Sequence, residues 1–182
     1  MIIESGTPCA ISLRAEFETD EVAGVWFGML SIGIGDCSYA SREPELLNSS
    51  FVNIASWLTR ESDAEVFEAI DQFSARQALI AALLAACNYS FAEVPKVRNG
   101  LDPWLKECLE APFGLALGLD KALLILRSGD AVRACGARIC DGDPFATLED
   151  VSETRFTFDD LRQITRDFVS RVPPISGVSL FP

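Results

Sequence analysis

The sequence predicts an α+β fold in which an antiparallel sheet, formed by an N-terminal meander and later hairpin strands, packs against a helical layer. Apolar and polar residues alternate in the first forty residues, and apolar residues recur every three or four positions in the middle third. A hairpin pattern returns over residues 122–139. Because no repeat, low-complexity tract or linker divides the chain, we expect residues 1–182 to form a single domain, with residues 173–182 as an irregular tail.

The N-terminal meander is predicted from a two-residue period. Along residues 10–18 one face of a strand carries only apolar side chains, namely Ile11, Leu13, Ala15 and Phe17. Residues 25–34 are rich in β-branched and aromatic residues, which predicts a second strand paired with the first. Gly35 and Asp36 form a tight turn, and residues 37–39 return. The sequence therefore predicts a three-stranded antiparallel meander.

The period changes after Pro44, and the middle third is predicted to be helical. The apolar residues of the first helix recur at spacings of three and four, from Leu47 to Leu58. Ser62 with Glu65 has the spacing of a capping box and is expected to open the next helix. A bend near Ser74 should separate that helix from a third over residues 75–88, where helix-forming residues dominate.

The C-terminal part is predicted to hold short strands between two helices. Asp102 is expected to cap a short helix with Pro103 at its first position. Residues 113–117 and 122–127 are predicted strands, and residues 128–130 are a turn into a strand over residues 131–139. Thr157 should cap a last amphipathic helix over residues 158–172, whose acidic first turn suits the helix dipole.

The core is predicted from the apolar faces of these elements. The residues expected to be buried are Phe17, Trp26, Phe67, Ile70, Leu83, Leu124, Leu161 and Phe168. Three tryptophans, Trp26, Trp57 and Trp104, lie on three different elements. Each is predicted to pack in the core rather than to form a stacking platform.

The charge of the chain excludes one class of partner. Lys and Arg number 15 against 27 Asp and Glu, so the formal net charge is -12 and the sequence pI is about 4.4. Nucleic-acid phosphates are held by clustered cations, and here the cations are scattered, so direct binding of nucleic acid is not expected. An acidic chain attracts basic surfaces, although the same charge can serve solubility alone.

Neither a catalytic centre, a metal site nor a cofactor site is predicted. The chain has no histidine, which removes Ser-His and Cys-His schemes and leaves the six cysteines without the partners of a zinc site. Asp141, Asp143 and Glu149 only partly match a calcium loop, because Pro144 and Phe145 fill the region where the loop needs a third acidic or amide ligand before its glycine. Residues 1–6 lack a secretory pattern, and the longest apolar run is too short for a bilayer. We therefore expect a soluble cytoplasmic protein with six free thiols.

Several short segments resemble a known family in order along the chain. They are Met1 with Ile2 and Ile3, residues 15–17, residues 24–28, residues 34–36, Pro112 with Phe113, Leu119 with Asp120, residues 123–126, Arg133, and Phe158 with Asp159. Together they resemble small bacterial immunity proteins encoded beside polymorphic or contact-delivered toxins. The helical residues 61–89 depart from that pattern. The resemblance implies an α+β protein without catalytic activity that binds its cognate toxin and blocks it.

Three hypotheses for function remain open from the sequence. The first is an immunity protein that occludes a toxin, which would be basic and a nuclease because a nuclease site must attract phosphate. Its candidate binding residues are the acidic residues of three turns, namely Glu18, Asp20, Glu21, Asp36, Asp141 and Asp143. The second is an adaptor or assembly chaperone that offers a sheet edge or a helix groove. The third is an enzyme that uses carboxylates. The oligomeric state is left open.

Overall fold

The computed structural model describes residues 1–6, 10–18, 24–87, 89–97, 100–111, 114–175 and 177–180. Over these residues it has nine strands and five α-helices, and the predicted α+β class is confirmed. The strands are β1 Ile2–Gly6, β2 Ile11–Phe17, β3 Phe27–Ile34, β4 Cys37–Ala40, β5 Glu45–Leu46, β6 Leu109–Ala111, β7 Lys121–Ser128, β8 Ala131–Cys140 and β9 Thr147–Thr157. The helices are α1 Asn48–Ser56, α2 Ala64–Ile70, α3 Ala75–Ala86, α4 Asp102–Cys108 and α5 Phe158–Arg171.

The first sheet contains the predicted three-stranded meander and two further strands, β1 and β5. Its antiparallel order is β1-β2-β3-β4, and β5 also pairs with β3. The alternation of residues 10–18 has its predicted effect, because the apolar side chains of β2 are buried and Arg14 and Glu16 are exposed. Strand β1, which the sequence analysis did not predict, pairs Ile3 with Ala15 and makes the meander four-stranded.

The second sheet lies in the middle of the molecule. Its order is β6-β7-β8-β9, all antiparallel. Strand β7 is buried on both faces: Leu123 and Ile125 join the core formed with the first sheet, α1 and α5, whereas Leu124 and Leu126 join the core formed with α2, α3 and α4. The sheets approach closely at Gly136, where a Cβ atom would lie 2.4 Å from Cε2 of Tyr39. Only glycine fits at this position, because any other side chain would collide with the Tyr39 ring.

The helices lie close to their predicted positions, but some of their predicted N-terminal caps differ. The bend near Ser74 is confirmed, and Ser74 forms a capping box with Gln77 that opens α3. The capping box predicted at Ser62 is wrong. Helix α2 begins at Ala64 without a side-chain cap, and the Ser62 hydroxyl instead accepts a hydrogen bond from the Gly129 N–H at 3.4 Å.

Two predictions in the C-terminal part are wrong for local reasons. Asp102 is the first residue of α4 and not its cap. The strand predicted over residues 113–117 is a bend and turn from Gly114 to Leu117, and Pro112 and Phe113 lie outside the described residues. The leucines of this turn are buried, so their apolar character reflects core packing and not a strand.

Most of the predicted core is confirmed. The buried residues are Phe17, Ile70, Leu83, Leu124, Leu161 and Phe168, whereas Trp26 and Phe67 are only partly buried. The five cysteines within the described residues are unpaired, and Cys9 lies outside them. No helix in the described part of the chain is long and apolar enough to span a membrane.

Candidate functional site

The acidic residues predicted to bind a partner lie in separate parts of the structure. Glu18 is exposed at the end of β2, where its N–H donates to the Phe27 carbonyl at 2.9 Å, and Asp36 is exposed in the turn after β3 at the opposite end of the same sheet. Asp141 and Asp143 are exposed in the loop between β8 and β9 of the other sheet. The remaining two, Asp20 and Glu21, lie outside the described residues. The described four therefore do not form one patch.

The outer face of the first sheet carries apolar residues near Glu18. Phe27 and Leu46 are partners across β3 and β5, and both are about half exposed. Glu16 lies between Ile2 and Met29 on neighbouring strands and is paired with Arg14 at 2.5 Å. This face thus has a mixed apolar and charged surface, and one of its carboxylates is already neutralised.

A more concentrated feature is a cleft between α2 and α4, which we call the Trp104 cleft. It has a volume of about 470 Å³. Its lining residues are Arg60, Glu61, Ser62, Asp63, Ala64, Glu65, Val66, Trp104 and Glu107. The side chain of Trp104 is 57% exposed, so an indole ring and four carboxylates share one concave surface.

The floor of the Trp104 cleft is a buried ion network around Arg60. The guanidinium donates to the carboxylate of Glu110, to Asp63 Oδ2 at 3.4 Å and to the Ile125 carbonyl at 2.6 Å. Burial by itself lowers the pKa of Arg60, but the charges of Glu110 and Asp63 outweigh it and raise the pKa. Arg60 therefore stays charged, and its charge is satisfied internally by two carboxylates.

The rim of the Trp104 cleft has the opposite character. Glu61, Glu65 and Glu107 are exposed, and none of the three forms an ion pair within the described residues. Because Arg60 is already neutralised by Glu110 and Asp63, these three carboxylates give the opening a negative potential. The cleft is thus suited to a cation that brings an apolar or planar surface to the indole ring.

Two other cavities have less distinct chemistry. One of about 610 Å³ lies between β1 and α5 and mixes polar and apolar groups. The other, of about 260 Å³, is bordered by Arg42, Lys121 and Arg138, but each of these cations already pairs with a carboxylate. Among the described residues, no group of three or more Cys, Asp and Glu side chains is arranged to hold a metal ion.

Sequence reasoning missed the Trp104 cleft because it placed Trp104 in the core, and that prediction is wrong. Of the other two tryptophans, Trp57 is buried and Trp26 is partly buried. The Pro103 and Asp102 that precede Trp104 mark a short surface helix, and three glutamates lie within the segments that became the cleft. Only Glu107 of the three lies near Trp104 in the sequence, so the sequence carried no signal that Glu61 and Glu65 would join it.

No protein-family model and no curated protein matches this chain. The crystal structure of CdiI from Burkholderia dolosa AUO158 has a similar fold, with a TM-score of 0.58 and 15% sequence identity. The similarity covers 93% of this chain and 100% of that chain, so the likeness extends over both sheets and the helices. At this identity it shows a shared fold.

Proposed function

We propose that this chain is an immunity protein that binds a cognate protein toxin and blocks it by occlusion, without catalysis of its own. The observation that carries the proposal is the fold shared with CdiI, a contact-dependent inhibition immunity protein, over nearly the whole length of both chains. The short segments that resemble small bacterial immunity proteins, in the same order along the chain, support this function independently of the fold.

The surface chemistry supports a basic toxin in particular. The chain carries a net charge of -12, and the Trp104 cleft has three glutamates free of ion pairs within the described residues. A nuclease is the class of toxin that fits best, because its active site must attract phosphate and therefore presents cations. We place this encounter in the cytoplasm, where such a toxin meets its nucleic acid.

Co-expression with the neighbouring reading frame tests the proposal. The reading frame beside the gene for this chain is expressed from an inducible promoter in a bacterial host, with or without this chain. We expect growth arrest without the chain, survival with it, and a complex that co-purifies on a tag carried by either protein. A control carries Arg133→Ala, which removes a buried ion pair and should weaken protection by destabilising the fold.

The alternatives give different outcomes in the same experiment. An adaptor or assembly chaperone would co-purify with a neighbour whose expression does not arrest growth. A carboxylate-dependent enzyme would protect without forming a stable complex, and its protection would depend on turnover. Either result would replace the immunity proposal.

A further inference from the structure

We propose that the Trp104 cleft receives an arginine side chain of the partner toxin, whose guanidinium stacks on the Trp104 ring and pairs with the glutamates of the rim. This inference rests on the proposed function and names the chemical group that the chain recognises. It assigns the anchor of the interface to a surface between α2 and α4, away from the acidic turns of the first sheet.

The electrostatics of the cleft select a cation. Glu61, Glu65 and Glu107 line the opening, and the single cation among the described lining residues, Arg60, is already paired with Glu110 and Asp63. An anion would be repelled by the unpaired carboxylates. An apolar side chain would displace water from the carboxylates without offering them a hydrogen-bond donor or a positive charge. A positive group from the partner resolves both conflicts.

The indole ring selects a particular kind of cation. A tryptophan face is the strongest of the aromatic partners for a cation, and Trp104 leaves 57% of its surface available. A guanidinium is planar and weakly hydrated, so it can stack on the ring while its N–H groups reach carboxylates at the edge. The chain already uses such a contact, because the guanidinium of Arg127 lies 3.5 Å from the centre of the Phe158 ring.

The walls of the cleft are held in place before any partner arrives. The N–H of Asp63 donates to the Arg127 carbonyl at 2.7 Å, and the Asp63 carboxylate accepts the Arg127 N–H at 3.2 Å. On the other side, buried Leu105 and Cys108 fix α4 on the core and so fix Trp104 at its edge. A preformed site loses little conformational entropy on binding, which favours its use as an anchor.

Variants of the cleft test this inference against the toxin from the co-expression experiment. We expect Trp104→Ala to raise the Kd for the toxin at least about tenfold, and Trp104→Phe to raise it less. Glu61→Gln with Glu65→Gln and Glu107→Gln should raise the Kd and flatten its dependence on salt. Because these side chains lie on the surface, thermal unfolding should match the parent protein. The matched control is Leu119→Ala, an exposed apolar side chain in a turn that does not line the cleft.

A double-mutant cycle identifies the partner residue. Each arginine and lysine of the toxin is replaced by alanine and measured against the parent chain and Trp104→Ala. We expect one toxin arginine whose effect on the Kd nearly disappears in the Trp104→Ala background. A lysine in that role, or no coupled cation at all, overturns the inference.

The outcomes separate this inference from the proposed function. If the parent chain neither binds nor protects, both the immunity function and the arginine site are wrong. If the parent chain binds and Trp104→Ala binds equally well, the immunity function stands and the Trp104 cleft is not its anchor.

Discussion

Arg133 shows at the scale of one residue how charge is used inside the fold. It lies on β8 and is 1% exposed. Its guanidinium forms a bidentate pair with the Glu153 carboxylate on β9, with Nε donating to Oε1 at 3.0 Å and Nη2 donating to Oε2 at 2.9 Å. Its remaining N–H groups donate to the carbonyls of Ile70 at 2.8 Å and Phe73 at 2.6 Å. One guanidinium therefore ties the end of α2 and the segment before α3 to the second sheet.

Removal of this guanidinium should strongly destabilise the folded chain. We expect Arg133→Ala to lower the free energy of unfolding by about 3 to 5 kcal/mol, because it leaves a carboxylate and buried carbonyls without their donor. The matched control is Arg138→Ala on the same strand, whose ion pair with Glu149 is exposed and should contribute less than about 1 kcal/mol. Urea denaturation measures both. Equal losses in the two variants would contradict the role assigned to Arg133.

The same contact should make stability depend on acid. Partial burial opposes ionisation of Glu153, but hydrogen bonds from Arg133 and Arg155 outweigh it and lower the pKa below its ordinary value of 4.5. A lowered pKa in the folded state gives stability that is present above the ordinary value and is lost as the pH falls through the folded value. Glu153→Gln should therefore show a flatter loss of stability below about pH 4.5. Glu43→Gln, at an exposed position, should follow the parent curve.

Trp104 shows that helical periodicity alone does not predict whether a residue at the edge of a buried face is itself buried. The spacing of Leu101, Leu105 and Cys108 marks the buried face of α4, and Trp104 falls at the edge of that face. Helical periodicity therefore permits both a buried and an exposed tryptophan. What decides is the neighbouring α2 segment, which opens a cleft instead of covering the ring, and that packing between elements is not encoded in the local pattern.

At the scale of elements, a strand could be predicted where one of its faces is buried or where both are buried. Strand β2 shows clean alternation and β7 a continuous apolar run, and both were predicted close to their observed positions. Strand β9 was missed because only Leu148 and Thr154 are buried along its eleven residues. It is recruited by pairing with β8, which is a long-range contact and not a property of its own sequence.

The caps of the helices are set by local hydrogen bonds and can be tested singly. Thr157 accepts the Asp160 N–H at 3.1 Å, and Asp160 accepts the Thr157 N–H at the same distance, which forms the capping box of α5. We expect Thr157→Ala to lower the free energy of unfolding by about 1 kcal/mol. Ser62→Ala is the matched control, because Ser62 has the capping-box spacing in the sequence but caps no helix. A larger loss at Ser62 would contradict this assignment.

At the scale of the whole molecule, the proposed function gives the net charge and the Trp104 cleft separate roles in association with the toxin. The net charge of -12 acts over roughly a Debye length and would speed the encounter with the basic toxin that we propose. A stacked and partly buried contact such as the one proposed at Trp104 acts only after docking, so it should govern the dissociation rate. Under the same proposal we assign the exposed Glu18 and Asp36 of the first sheet to this long-range attraction, because they lie at opposite ends of the sheet.

Charge reversal of one turn separates these roles. We expect Glu18→Lys with Asp20→Lys and Glu21→Lys to slow association with the toxin, and the difference from the parent chain to shrink as salt is raised. The fold should be retained, because Glu18 is exposed and the first sheet holds it through its main-chain N–H. Stopped-flow mixing at low and high salt gives the association rates, and Trp104→Ala serves as the contrasting variant with an altered dissociation rate. An unchanged association rate at low salt would exclude this turn as a steering surface, and the loop that carries Asp141 and Asp143 would be reversed next.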